Sequence, residues 1–295
     1  KVSEMAKKLK FPLQCIGIPK TVDNDLPYTD CSPGFGSVAK YVATSTLEAG
    51  LDVKSMAETS TKVFILEVMG RHAGWIAASS CLAASKAGDP PHIILLPEVP
   101  FEKSKFITQV KQTVKNNGYC VIVASEGTQT KNGKFLSDSG LTDAFGHKQL
   151  GGVAPVLANM ISKIGFKNHW AVADYLQRSA RHIASKTDLD QAYAVGVHAV
   201  KLAVAGKTAV MPIIKRISDS PYKWKIATAP LKNIANVEKS IPGKFISKNG
   251  FEITSAGRKY LGPLIQGEAP TNFKFGIPEI ANLKKSFLKK KLKNF

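Results

Sequence analysis

The sequence predicts an α/β fold with mainly parallel sheets flanked by helices, on two observations. Apolar runs of strand length alternate with longer helix-like segments, and the strand-like runs end in polar residues, as open α/β sheets do where they bind ligands. The strand-like runs cover 13–18, 63–69, 92–96, 119–125 and 169–173. The helix-like segments lie near 34–50, 73–87, 102–117 and 152–163.

The carboxyl-terminal third continues with a helix and a pair of strands. Residues 188–205 are predicted to be helical, with Gly206 well placed to end the helix. Residues 209–217 and 224–229 are predicted to pair through the turn at 218–221. Near the end, lysines alternate with apolar residues at helical spacing, which favours a surface helix packed on the body over contact with a membrane surface. These residues are Leu283, Lys284, Lys285, Phe287, Leu288, Lys289, Lys290, Lys291, Leu292 and Lys293.

Composition indicates a soluble catalytic protein. The 295 residues are 44% hydrophobic, which is enough for one large domain or two modest lobes. The chain has no apolar run of the roughly 18 residues that a membrane span needs, and residues 1–10 lack a signal sequence, so we expect a cytoplasmic protein with no membrane contact. The four cysteines show no Cys-x-x-Cys spacing, which predicts buried, reduced thiols.

The net charge of +19 favours anionic ligands. Nucleic acid is the competing explanation, because clustered lysines neutralise phosphates of any sequence. Here the lysines are spread along the chain, aromatic residues do not interleave with them, and no nucleic-acid-binding motif occurs. We therefore expect no specific nucleic-acid partner. No pair of histidines has metal-ligand spacing in a suitable context, so we expect no zinc site.

A short turn after the first strand-like run carries the chemistry. Residues 17–25 read Gly-Ile-Pro-Lys-Thr-Val-Asp-Asn-Asp and bring together Lys20, Thr21, Asp23 and Asp25. One carboxylate can take a proton from an attacking hydroxyl, a second can hold Mg²⁺, and the ammonium can neutralise a phosphate. Taken alone, the turn is equally consistent with a solvated capping turn.

Three further strand ends carry polar groups, which gives four motifs in total. Read in chain order, these are Pro19-Lys20-Thr21-Val22-Asp23-Asn24-Asp25, Met69-Gly70-Arg71, Ser125-Glu126-Gly127 and Tyr175-Leu176-Gln177-Arg178. In order and spacing they resemble the phosphofructokinase family, and more closely its pyrophosphate-dependent branch. Residues 143–147 and 149–152 also look like that branch. The resemblance is good over residues 1–235 and loose beyond them.

The resemblance implies a phosphofructokinase-like fold of two lobes. The phosphate-donor lobe would consist of residues 1–36 and 178–235, and the sugar-phosphate lobe of residues 37–177. Residues 236–295 would form a carboxyl-terminal extension. The implied reaction is reversible transfer of a phosphoryl group from pyrophosphate to the C1 hydroxyl of fructose 6-phosphate, a step of glycolysis.

The resemblance also implies roles for the first turn. Asp23 would be the general base for the C1 hydroxyl, Thr21 and Val22 would line the sugar site, and Asp25 would help to hold Mg²⁺. Lys20 stands where ATP-dependent relatives have glycine, so its charge would stabilise the transferred phosphoryl and the leaving phosphate. That lysine favours pyrophosphate as the donor.

The remaining implied roles concern the sugar phosphate. Met69, Gly70 and Arg71 would cradle the sugar and the transferred phosphate, Glu126 would accept hydrogen bonds from sugar hydroxyls, and Tyr175, Gln177 and Arg178 would hold the 6-phosphate end. Lys62 occupies a position from which relatives reach into a neighbouring subunit, with Lys167 and His169 near the other such position. The resemblance therefore implies a homo-oligomer, either a dimer or a tetramer.

Relatives carry, ahead of this point, a glycine-rich stretch and a Gly-Gly-Asp-Asp-Ser type of loop that bind the donor phosphates and the metal. Neither occurs in this sequence, so the chain resembles the carboxyl-terminal two-thirds of such an enzyme, with the amino-terminal part of the first lobe missing, and is expected to be inactive alone. Two alternatives stay open: an ATP-dependent 6-phosphofructokinase, and a non-catalytic fragment or subunit that binds sugar phosphate.

Overall fold

A computed structural model describes residues 1–142, 148–150, 152–287 and 289. The resemblance drawn from residues 143–147 and Gly151 lies outside the described residues, as do Leu288 and the lysines at 290, 291 and 293 of the predicted terminal helix.

A four-stranded, wholly parallel sheet forms the centre of the fold, in which the strands at 93–95, 120–125, 63–68 and 168–172 are neighbours in that order. The first strand pairs in register with two neighbours, so that Val68 lies opposite Ser125 and Glu67 lies opposite Val172. The strands are β1 (Val63–Val68), β2 (Ile93–Leu95), β3 (Cys120–Ser125) and β6 (Asn168–Val172). These four strands confirm the sequence prediction for this region.

Helices cover both faces of this sheet, as the alternation in the sequence predicts. Alternate residues of β1 point to opposite sides: Val63 and Ile65 pack with the helices at 103–117 and 153–162, whereas Leu66 and Val68 pack with the helices at 35–56 and 75–79. The helices are α1 (Val2–Lys8), α2 (Phe35–Met56), α3 (Trp75–Ser79), α4 (Lys103–Asn117), α5 (Val153–Ser162), α6 (Leu176–Ser179), α7 (Lys186–Val204) and α8 (Ser255–Leu261).

The start of α2 shows how distant parts of the chain are joined. Gly34 has a φ of +101° at the start of this helix, a conformation that favours glycine. The buried carboxylate of Asp188, on α7, accepts hydrogen bonds from the backbone N–H groups of Gly34 at 2.8 Å and Ser37 at 3.0 Å. A carboxylate here satisfies free N–H groups and complements the helix dipole.

Beyond α7, where Gly206 has a φ of +70°, an antiparallel hairpin follows as predicted. It consists of β7 (Val210–Asp219) and β8 (Tyr222–Pro230). Two small antiparallel pairs complete the list: β4 (Asp138–Thr142) with β5 (Lys148–Leu150), and β9 (Phe273–Lys274) with β10 (Ile277–Pro278).

The prediction of a buried strand over residues 13–18 is wrong. Ile16 makes a single isolated bridge with Val210, while Leu13 is 44% and Ile18 58% exposed. Only one neighbouring strand lies beside this stretch in the described structure, so it forms no continuous ladder.

Two helix predictions also need correction. The helix predicted over 73–87 ends early: α3 passes into a 3₁₀ turn at Ser80–Ala83, and the guanidinium of Arg258 binds the carbonyls of Cys81 and Ala84. The described residues of the predicted terminal helix, 283–287, are not helical, and Leu283 is 85% exposed. A short helix needs an apolar surface to pack against, and the described structure offers none there.

Among the described residues, none of the helices combines the length and apolar character that crossing a membrane demands. The four cysteines are free thiols, as predicted. Three of them are buried, whereas Cys15 is partly exposed, because the stretch around it is not the buried strand that the sequence indicated.

Candidate active site

The site is assembled at the carboxyl edge of the parallel sheet. Since β1, β3 and β6 are parallel neighbours, the residues that follow them meet at one edge. Met69, Glu126 and Asp174 are the first or second residues after these three strands. The topology therefore brings together three of the motifs that the sequence singled out.

Two glycines let the loops after β1 and β3 touch through their backbones. Gly70 has a φ of +129°, which side chains rarely tolerate. A Cβ on Gly127 would lie only 2.0 Å from the carbonyl oxygen of Arg71. The backbone N–H of Gly70 donates to the Glu126 carboxylate at 3.3 Å. The position of Arg71 is thus fixed by close backbone packing against Gly127.

Arg71 presents an unused hydrogen-bond donor. Within the described part of the chain, its Nε–H is buried and has no hydrogen-bond partner. Leaving a buried donor unpaired costs on the order of 1–3 kcal/mol, so such a group in a cleft points to a ligand acceptor. An oxygen of a phosphate suits a guanidinium in this setting.

The Thr21–Asp25 turn is held by its own side chains at one end. The hydroxyl of Thr21 accepts a hydrogen bond from the backbone N–H of Asp23 at 3.0 Å and donates to the Asp23 carboxylate at 3.3 Å. Lys20 precedes this turn and is exposed. A hydroxyl bonded to a carboxylate in this way fixes the direction of the carboxylate.

The turn lies near enough to the sheet edge for the carboxylates of the two regions to influence each other's pKa. Burial raises the pKa of Asp23 and the charge of Asp25 raises it further, while Thr21, Lys20 and His72 oppose the shift. Burial likewise raises the pKa of Glu126, which Gly70 and Arg71 lower and which Asp23 and Asp174 raise. The negative charges of Asp23 and Glu126 therefore repel each other. A carboxylate with a raised pKa is a stronger base.

A cavity of about 260 Å³ lies beside the turn. Val22 lines it together with Gln177, Arg178 and Arg181. The guanidinium of Arg178 lies 4.3 Å from the centre of the Tyr175 ring, and both side chains are exposed. The two arginines make the cavity suited to an anion.

Gln177 differs from its neighbours because it is only 2% exposed. Its amide group donates to the carbonyl of Asp174 at 2.9 Å and accepts from the backbone N–H of Met69 at 3.3 Å. Gln177 thus ties the loop after β6 to the loop after β1. Asp174 itself has a φ of +36°, an uncommon conformation for a residue with a side chain.

Lys62 is the predicted site residue that the structure does not bring to this edge. It precedes β1, at the opposite end from Met69, and its ammonium donates to the carbonyl of Ala57. Lys167 lies next to it in space, since the Lys62 N–H donates to the Lys167 carbonyl at 2.9 Å. A role for Lys62 in the site of a second subunit stays a prediction.

The family resemblance implies that Asp25 helps to hold Mg²⁺. Groups of three or more His, Cys, Asp or Glu side chains in metal-binding arrangement are absent from the described residues. Asp25 and Asp23 lie close enough for their charges to interact, however, and Mg²⁺ is commonly held by one or two carboxylates together with substrate phosphates. The oxygen donors present fit that ion.

Sequence reasoning missed several residues that build the turn. Asn24 is fully buried, and its side chain accepts from the Ser32 N–H at 3.0 Å and donates to the Tyr260 hydroxyl at 3.3 Å. Lys239 donates to the carbonyls of Thr29 at 3.0 Å and Asp30 at 2.9 Å. Tyr260 and Lys239 are more than 200 positions away in the chain. No local pattern around them signals this role.

Fold and site together define an α/β protein with carboxylates and arginines gathered at the carboxyl edge of a parallel sheet, a combination that suits phosphorylated ligands. The phosphofructokinase family model matches residues 1–203, and the chain belongs to this family. The resemblance drawn from the four motifs is confirmed.

The similar proteins extend over the whole chain. A pyrophosphate--fructose 6-phosphate 1-phosphotransferase of Halomonas elongata is 60% identical over 100% of this chain and 71% of its own length. The protein of the same name from Methylococcus capsulatus is 55% identical, over 99% of this chain and 70% of its own. The crystal structure of a pyrophosphate-dependent phosphofructokinase from Marinobacter aquaeolei superposes with a TM-score of 0.90 at 57% identity, covering 99% of this chain and 70% of that one.

Proposed function

We propose that the protein is a pyrophosphate-dependent 6-phosphofructokinase, which reversibly transfers a phosphoryl group from pyrophosphate to the C1 hydroxyl of fructose 6-phosphate. The products are fructose 1,6-bisphosphate and phosphate. The observation that carries the proposal is the meeting of Asp23, Lys20 and Arg71 at one site, in a chain 60% identical to a relative of that name.

Each residue has a defined part in this reaction. Asp23 takes the proton from the C1 hydroxyl of fructose 6-phosphate. The oxygen of that hydroxyl forms the new bond to phosphorus. The unpartnered Nε–H of Arg71 binds an oxygen of the transferred phosphoryl group. Lys20 stabilises the phosphate that leaves when the old bond breaks. Met69 and Gly70 lie beside the sugar, and Glu126 accepts a hydrogen bond from one of its hydroxyls.

The 6-phosphate occupies the cavity beside the turn. Arg178 binds it directly and Tyr175 donates from its hydroxyl, with Val22 and Thr21 against the sugar. The two arginines that line this cavity, Arg178 and Arg181, support the assignment because a phosphate needs cationic partners in a partly buried place. Gln177 stabilises the wall of this cavity through its hydrogen bonds to the backbone of Met69 and Asp174.

Asp25 holds Mg²⁺ in this proposal, directly or through water. Mg²⁺ neutralises negative charge on the pyrophosphate oxygens when it is bound. The acidic pair of Asp23 and Asp25 supports the assignment, since their mutual repulsion is relieved by a cation.

The two-lobe division stays a proposal for this chain. Residues 1–36 and 178–235 are assigned to a donor lobe, 37–177 to the sugar-phosphate lobe and 236–295 to an extension. The bridge between Ile16 and Val210 supports the first grouping. The extension packs on the body at its start, where Ile241, Ile253 and Leu261 join the core beside α2.

We also propose a homo-oligomer in which β6 lies near a second copy. Trp170 and Val172 on this edge strand are 47% and 41% exposed, and Lys62 and Lys167 lie at its amino end. Light scattering on the purified protein should give a mass of two or four chains.

A location in the cytoplasm fits four free thiols, and cell fractionation tests it.

Donor choice tests the proposed function. The purified full-length protein, here meaning the product of the whole gene, should form fructose 1,6-bisphosphate with pyrophosphate and Mg²⁺, and far less with ATP. Pyrophosphate has no adenosine to supply binding energy, so charge at the phosphates must supply more of the stabilisation. Lys20→Gly should therefore lower pyrophosphate-dependent turnover by roughly 10²-fold without creating use of ATP.

Lys131→Gly is the control, because Lys131 is also an exposed lysine but lies away from the site. It should leave turnover unchanged. A wide preference of the unsubstituted protein for ATP would contradict the proposal and would make the protein an ATP-dependent 6-phosphofructokinase.

A further inference from the structure

A short segment outside the family match joins the two halves of the site. Residues 239–241, here named the brace, follow the hairpin and lie beyond the matched residues 1–203. The backbone N–H of Lys239 donates to the carbonyl of Asp25 at 2.6 Å, and its carbonyl accepts from the indole N–H of Trp75 at 2.8 Å. The brace thus contacts the Thr21–Asp25 turn on one side and the start of α3 on the other.

A second link runs from the brace to the loop after β1. The Ile241 N–H donates to the Glu98 carboxylate at 3.0 Å, and the same carboxylate accepts from the Gly74 N–H at 3.1 and 3.2 Å. Gly74 lies three positions after Arg71. Movement of the brace would therefore shift the Asp23 turn and the Arg71 loop relative to each other.

The side chain of Lys239 completes the brace. Its ammonium donates to the carbonyls of Thr29 and Asp30, lies 3.5 Å from the side-chain oxygen of Asn24, and stands 5.4 Å from the centre of the Trp75 ring. Burying a cation is costly unless oxygen partners replace its water. Three oxygens and an aromatic face do so here, which makes the ammonium a rigid anchor.

Asn24 connects this anchor to the reactive carboxylates. It stands between Asp23 and Asp25, is 0% exposed, and has a φ of +58°. Such a left-handed conformation of a residue with a side chain persists only where surrounding contacts hold it. The contacts that hold Asn24 come from Ser32, Tyr260 and Lys239.

We propose that Lys239 is a positioning residue for phosphoryl transfer: its ammonium and backbone fix the Asp23 turn against the Arg71 loop without touching the substrate. The inference rests on the proposed function and adds to it a residue from outside the family match. A displacement of about 1 Å between reacting groups can lower the rate by roughly 10²-fold. The loss of Lys239 should therefore affect turnover more than substrate affinity.

The test compares Lys239→Met with Lys40→Met in the full-length protein. Methionine keeps an unbranched apolar side chain at this position and removes the ammonium. Lys40 is the matched control because its ammonium also donates to a backbone carbonyl, that of Gly267 at 3.0 Å, and its side chain is only 12% exposed.

We expect Lys239→Met to lower kcat with pyrophosphate about 10-fold or more while KM for fructose 6-phosphate changes less than about 3-fold. Lys40→Met should leave both unchanged. In Lys239→Ala, added ethylammonium should restore part of kcat, because a small cation can replace the lost ammonium. An unchanged kcat in Lys239→Met overturns the inference. The inference is also overturned if ethylammonium does not restore kcat in Lys239→Ala and the loss of kcat is accompanied by a lowered melting temperature.

Amide hydrogen exchange separates this inference from the proposed function. Residues 20–26 should exchange faster in Lys239→Met than in the unsubstituted protein or in Lys40→Met. If the unsubstituted protein does not use pyrophosphate, the proposed function fails, and the exchange comparison alone decides whether Lys239 holds the turn. Equal exchange in all three proteins overturns the inference whatever the activity.

Discussion

The two halves of the site are built in different ways. The loops after β1 and β3 are fixed by neighbouring strands and by the backbone contact of Gly127 with Arg71. Among the described residues no sheet surrounds the Thr21–Asp25 turn, which is held by polar contacts from Asn24 to Tyr260 and Lys239. A sheet positions residues through many weak contacts, whereas the turn depends on a few polar groups. Single substitutions should therefore act differently in the two halves.

The largest expected effect is in the turn. Asp23→Asn removes the base and keeps the size of the side chain, so turnover in the full-length enzyme should fall by roughly 10²-fold or more, with a smaller effect on KM for fructose 6-phosphate. Steady-state kinetics measure both constants. A variant with near-normal turnover would remove Asp23 from the base role.

Arg71 and Arg178 should respond differently to substitution by alanine. Arg71→Ala should chiefly lower kcat, by about 10-fold or more, because its contact strengthens in the transition state. Arg178→Ala should chiefly raise KM for fructose 6-phosphate, because the 6-phosphate is held alike before and during the reaction. Each variant is the control for the other. Turnover defects alone in both would exclude the 6-phosphate role of Arg178.

A third substitution tests the sheet half through packing. In Gly127→Ala the new Cβ would lie 2.0 Å from the carbonyl oxygen of Arg71 and 2.6 Å from that of Gly70, so the backbone must move. We expect a loss of about 1–3 kcal/mol in the free energy of unfolding, measured by urea denaturation. Gly196→Ala is the control: this glycine is within α7, and its Cβ would meet nothing within 4 Å. If Gly127→Ala is as stable as the control, the close backbone contact between the loops after β1 and β3 is not needed for stability, which would contradict this prediction.

The smallest expected effect is a pH dependence of stability at the amino end of the sheet, opposite to the site. His92 accepts a hydrogen bond from the Val121 N–H at Nδ1, at 3.0 Å, and its Nε2 lies 3.2 Å from the Gly88 carbonyl, which requires neutral imidazole with the proton on Nε2. Burial lowers the pKa of His92 below its ordinary 6.5, with Gly88 and Asp89 opposing. The unfolded chain therefore binds a proton that the native protein does not, and the free energy of unfolding falls as pH drops through 6.5.

Denaturation of the unsubstituted protein and of His92→Gln between pH 7.5 and about 5 measures this difference. The stability advantage of the unsubstituted protein should shrink toward acid pH. His182→Gln is the control, because His182 is exposed, and it should leave the slope unchanged. A slope that is the same in all three proteins would contradict the assignment.

Sequence by itself determined the family, the parallel sheet with helices on both faces, and the motifs that meet at its edge. These follow from local patterns, since apolar periodicity sets strand and helix, and parallel strands bring their carboxyl ends together. The strand expected over 13–18 failed for the complementary reason: an apolar run becomes a strand only where other strands pair with it, and pairing is a tertiary property.

Tertiary structure alone decided how the reactive turn is held. Asn24, Lys239 and Tyr260 meet only after folding, because a buried polar group takes whatever partner the packed chain brings to it, at any separation in sequence. It also decided that Gln177 is a buried link between loops and that the Arg71 Nε–H is left without a partner in the described residues. Residue types can indicate chemistry, but hydrogen-bond partners and burial depend on the folded arrangement.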